Sequence, residues 1–163
     1  MKFTGDENLV EISKFLEGHG ERVAAIVAAA YFDERLGKLT GENKDFFGRI
    51  NRAYDVGLVT ANEKDDLHAI RKIRNRCAHD FRADGFDDDD QQAIDGLHTW
   101  KIYADSLRMH DELKLPLERL LYVTCALVAR LSRRTVPPTP QVLAEPKPTD
   151  VDAFPPVVST SSE

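Results

Sequence analysis

Within the stretch IRKIRNRCAHDF, Ile70 to Phe81, lie the side chains of this chain best suited to chemistry: Arg74, its neighbour Asn75, and His79. A histidine titrates near neutrality and can take up or release a proton, and a guanidinium can hold an oxyanion through paired N–H donors. On a helix at about 100° per residue, Ile70, Ile73, Cys77 and Phe81 share one face, with Leu67 and Ala78 at its edge. Arg74 falls in that same apolar sector, whereas Arg71, Asn75 and His79 form a row on the other side. A guanidinium on an apolar face costs several kcal/mol unless something answers its charge. It therefore needs a carboxylate, with Asp33, Glu34 and Asp55 available, or carbonyls, the phosphate of a ligand, or a route to water. Five residues make about 1.4 turns, so on a straight helix Arg74 and His79 point roughly 140° apart. They converge only if the helix ends near Ala78 or if a symmetric dimer sets one copy opposite another, and the sequence permits both.

The elements that must position these residues read as helices throughout. Apolar residues recur at three- and four-residue spacing up to residue 134, and alternating strand patterns are absent. The fold class is all-α: a bundle of five or six helices over 1–134, followed by a proline-rich, disordered tail over 135–163. A short helix is expected from Asp6 to Leu16, stopped by Gly18-His19-Gly20. ERVAAIVAAAYFDERLGKL is alanine-rich and nearly uncharged in its middle, as suits a central core helix. The next helix, Lys44 to Val56, is expected to carry Phe46, Phe47, Ile50, Ala53 and Tyr54 on one stripe. Thr60-Ala-Asn-Glu63 reads as a capping box opening the motif helix. Asp87 to Asp90 suit the start of a further helix, QQAIDGLHTWKIYADSL, because negative charge complements a helix N-terminus. Pro116 fits the first turn of a last helix, LERLLYVTCALVARLSRR, apolar enough for core or dimer interface.

Composition narrows the functional classes. A formal charge of −6 argues against non-specific binding to long nucleic acid, which needs a broad basic surface. Direct sequence-specific DNA binding is also unexpected, since no helix-turn-helix with a basic recognition face is present. Cys77 and Cys125 are isolated and read as reduced core residues. No metal site and no cofactor are expected: the histidines are scattered, and the acidic run lacks the glycine and spacing of a calcium loop. His68, one turn above Arg71 and Lys72, reads as a surface histidine, and no serine sits in a nucleophile motif. Without a signal peptide or a span of about 20 apolar residues, the expected location is the cytoplasm.

Two resemblances follow from quoted residues. Arg74-Asn75-x-x-x-His79 resembles the R-x4-6-H signature of HEPN domains, small helical bundles that are often dimeric. The longer segment FFGRINRAYDVGLVTANEKDDLHAIRKIRNRCAHDF, with AAAYFDERL before it, resembles the mannitol operon repressor-like family over about residues 22 to 81. The second resemblance implies a regulator that acts on transcription through an unidentified protein partner rather than through a DNA-binding motif. The first implies a metal-independent RNA endonuclease of toxin or defence type, with Arg74 and His79 catalytic and Asn75 auxiliary. In that case Arg71, Lys72, Arg76 and Arg82 would hold RNA phosphates. A homodimer is expected, as in active HEPN domains. Regulation is the leading expectation and RNA cleavage its alternative.

Overall fold

The computed structural model describes residues 19–80, 85–107 and 113–147, and the regular structure in them is six helices with no strand. They are α1 Glu21–Thr40, α2 Phe46–Asp55, α3 Ala61–His79, α4 Asp88–Asp95, α5 His98–Leu107 and α6 Pro116–Ser132. The all-α expectation holds. The helix expected from Asp6 to Leu16 lies outside the described residues.

α1 buries Ala24, Ala25, Ala28, Ala29, Phe32 and Leu36 and packs chiefly against α3 and α2. Its alanines let neighbouring backbones approach closely, which is why a helix with so weak an amphipathic pattern can sit at the centre. α2 starts at Asp45, whose carboxylate accepts the Gly48 N–H at 2.8 Å. Phe46, Ile50 and Ala53 enter the core, whereas Phe47 remains 50% exposed, so the expected five-residue stripe loses one member. Phe47 sits about 100° round the helix from Phe46, past the edge of the sector that the core covers.

α3 begins as the capping box specifies. Thr60 Oγ1 accepts the Glu63 N–H at 3.2 Å, and the Glu63 carboxylate accepts the Thr60 N–H at 3.0 Å. Leu67, Ile70, Ile73 and Cys77 are buried, as the wheel requires, while Ala78 is exposed. Phe81 lies outside the described residues.

The segment expected as one helix from Gln91 to Leu107 is two, α4 and α5, interrupted at Gly96-Leu97. The physical reason comes from α3: the buried Asp66 carboxylate accepts the N–H groups of His98 at 2.7 Å and Thr99 at 2.9 Å, satisfying the first turn of a new helix. The acidic run does open α4, with Asp87 Oδ1 accepting the Asp90 N–H at 2.7 Å and three aspartates in the first turn.

α6 carries Pro116 in its first turn and buries Leu120, Val123, Leu127, Val128 and Leu131. It also buries Arg130, which pairs with Glu63 across the bundle. After it, residues 135–147 form no helix and run back past the turn between α2 and α3. There the Glu145 carboxylate accepts the Asn62 N–H at 3.0 Å, adding a tail-borne acceptor to the N-terminus of α3. Residues 148–163 lie outside the described ones.

Candidate functional site

The site is organised by α3, one face of which is locked into the core. The helix runs through His79, and the Asp80 N–H closes the ladder on Arg76 O at 3.0 Å. One of the two routes to convergence is thereby corrected: the helix does not end near Ala78 in a way that swings His79 round. Arg74 and His79 stay about 140° apart on a continuous helix. Within one chain they do not share a face.

Arg74 is half-buried, and His79 is exposed on the last residue of α3. The carboxylates available to Arg74 are engaged elsewhere or remote in role. Asp33 pairs with Arg49 at 2.7 Å, and Glu34 pairs with Lys38 one turn away on α1, while Asp55 ends α2 exposed. Arg74 makes no hydrogen bond or ion pair to a described residue. Asn75, beside it, is half-buried.

The other basic residues divide into three kinds. Arg76 is a tie between helices, its Nε donating to Asp90 Oδ1 at 2.6 Å where that carboxylate is almost wholly buried. Lys72 is exposed to solvent. Arg71 lies over the Phe47 ring, guanidinium carbon to centroid 5.2 Å, so its charge rests on the face of an exposed aromatic. Arg82 lies outside the described residues.

His68, read from sequence as an ordinary surface histidine, belongs to that same group. Its ring packs against Phe47 at 5.1 Å between centroids, and its Nε2 meets Asn51 Oδ1 at 3.4 Å. Burial, and after it the charge of Arg71, pushes its pKa below the usual histidine range, so the ring is neutral at pH 7. Phe47 and Asn51 carried no motif signal; only the packing of α2 on α3 brings them beside Arg71.

Among the described residues no group of three or more histidine, cysteine, aspartate or glutamate side chains could hold a metal ion. The Cys77 thiol is buried in the α3 core, and that burial, reinforced by Asp90, raises its pKa and keeps it protonated. No described helix is long and apolar enough to cross a membrane.

Comparison with known proteins adds a family without a function. The model of the family described as a domain of unknown function (DUF4145) matches residues 10–102, more than half of the chain and all of α1 to α4. No curated protein and no solved structure matches.

Proposed function

The chain belongs to the DUF4145 family, a domain of unknown function, and from the geometry of its Arg74 and His79 motif we propose that it is a metal-independent RNA endonuclease of the HEPN type, working as a cytoplasmic homodimer. The observation that carries this reading is the state of the motif residues: His79 exposed at the end of α3, and Arg74 half-buried while Asp33 and Glu34 are held by Arg49 and Lys38.

The chemistry requires no group that these side chains lack. The 2′-hydroxyl of one nucleotide attacks the adjacent phosphorus, its proton passes to a base, and the P–O5′ bond breaks as the leaving oxygen takes up a proton from an acid or from water. The products are a 2′,3′-cyclic phosphate and a 5′-hydroxyl. His79 suits the proton transfer, as base toward the 2′-hydroxyl or as acid toward the leaving oxygen. Arg74 suits the charge that gathers on the phosphoryl oxygens. Because the two diverge on one helix, the working pair takes Arg74 from one protomer and His79 from the other, and a two-fold dimer supplies two such pairs.

Purified chain incubated with single-stranded RNA in the presence of a chelator tests the proposal, beside His79→Ala and Arg74→Ala. Cleavage that leaves cyclic phosphate ends, and falls about 100-fold or more in each variant, is expected. An inert wild type, or equal cleavage by all three, overturns it.

The acidic balance of the chain supports a second reading, transcription regulation through a protein partner as in the mannitol operon repressor-like family. Under that reading the wild type leaves RNA intact, and affinity capture from the native host recovers a transcription component.

A further inference from the structure

Phe47 is half exposed in a chain that buries Phe46 completely enough to place it in the core, and its surroundings are polar and basic rather than apolar. Arg71 lies over its ring, His68 packs at its edge, Asn51 holds His68 from α2, and Lys72 stands exposed one residue beyond Arg71. Two buried atoms of this group, Arg71 Nε and His68 Nδ1, have no hydrogen-bond partner among the described residues. A small rotation of the Arg71 side chain would aim its guanidinium at an anionic oxygen beside Phe47.

We propose that Phe47, Arg71 and Lys72, backed by His68 and Asn51, form a subsite for single-stranded RNA in which a base stacks on Phe47 and the cations hold the flanking phosphate. It rests on the RNA reading above and deepens it by locating where the substrate lies. Base stacking on an aromatic beside a positive track is how single strands are held without sequence readout. The Arg71, Asn75, His79 row leads from this platform to the end of α3. From residue 71 to 79 the helix rises about 12 Å, comparable to three or four stacked nucleotides at roughly 3.4 Å each. The subsite therefore lies a few nucleotides from the bond at His79, on the same side of the helix.

Charge selects this occupant over a second copy of the chain. A two-fold contact centred on the patch would bring two cationic patches together, which is unfavourable, whereas an anionic strand meets no such repulsion.

Binding of a labelled, single-stranded oligoribonucleotide to the full-length His79→Ala chain, followed by fluorescence anisotropy, isolates the subsite from cleavage. Phe47→Ala is expected to weaken binding about 5- to 150-fold and Phe47→Trp to retain it. Arg71→Gln is expected to lower the slope of log affinity against log salt by about one. An oligonucleotide with abasic positions should be indifferent to Phe47. Equal RNA affinity in Phe47→Ala overturns the subsite, as does a Phe47→Ala chain that loses only its dimeric mass, which would make the patch a protein interface. Binding that depends on Phe47 in a chain whose wild type cuts nothing removes the nuclease and leaves the subsite standing.

Discussion

Glu63 and Arg130 meet at 3.1 Å across 67 residues of sequence, with 2% and 6% of their side chains exposed. The same glutamate caps α3 through the Thr60 N–H and receives Arg134 as well, which also reaches Leu58 O at 3.2 Å. One carboxylate thus fixes the start of the motif helix to the end of α6. A buried ion pair is held at a desolvation cost, so its removal is felt mainly through the charge left behind.

Glu63→Ala should accordingly lower unfolding free energy by about 3–5 kcal/mol, because it breaks the buried ion pair with Arg130 and removes half of the capping box. Pairing Glu63→Met with Arg130→Met should recover much of the loss. Urea denaturation of the single and double variants measures both; a single variant as stable as the wild type would mean that the Glu63–Arg130 pair adds no net stability.

Stability should fall with acidification in a way that depends on Glu63. Burial alone would raise its pKa, but the Arg134 hydrogen bond and charge, the Thr60 N–H and Arg130 outweigh it, and the folded value lies below the ordinary 4.5. A depressed folded pKa means stability that is complete above the unfolded value and lost as pH drops through the folded one. Asp66 has the opposite sign: burial outweighs its bonds to Thr99 and His98 and raises its pKa above 3.8, so its ionisation on going up through that range subtracts stability. Urea midpoints between pH 7 and pH 3 should therefore decline more steeply for the wild type than for Glu63→Gln.

What could be read in the sequence follows the range of each interaction. The capping box, the Asp87 start of α4, Pro116 and the Ile70, Ile73, Cys77 face are all local patterns, and each stands where its spacing puts it. The break at Gly96 depends on Asp66, which lies 32 residues before the His98 N–H it accepts, and the burial of Arg130 depends on Glu63, so the partner that decides each is remote in sequence. The candidate site divides in the same way. Arg74 on the core side and His79 at the helix end follow from periodicity, whereas the pairing of Arg76 with Asp90 and the cluster of Phe47 and His68 around Arg71 come from how helices pack.

Gly57 should resist substitution more than Gly41, although both adopt left-handed backbone, φ 73° and 67°. A Cβ on Gly41 would meet open space, but on Gly57 it would stand 2.2 Å from the Gln141 carbonyl oxygen of the returning tail. Gly41→Ala is expected to cost about 1 kcal/mol from the backbone conformation alone, and Gly57→Ala more. Thermal melts of the two variants decide it: equal losses would mean that the tail moves aside freely.

Catalysis across the dimer gives the sharpest consequence of the continuous α3 helix. If Arg74 of one protomer serves His79 of the other, Arg74→Ala and His79→Ala chains are each inactive alone but complement one another when mixed. A mixed dimer then holds one site with both mutations and one with neither. Random exchange makes about half of the dimers mixed, each with one of two sites intact, so the mixture should recover about one quarter of wild-type cleavage. Were the pair formed within a single chain, every site in the mixture would lack one member and no activity would return. Assay of the two variants singly, and after unfolding and refolding together, separates the two arrangements. The 140° between Arg74 and His79 on an unbroken helix favours recovery.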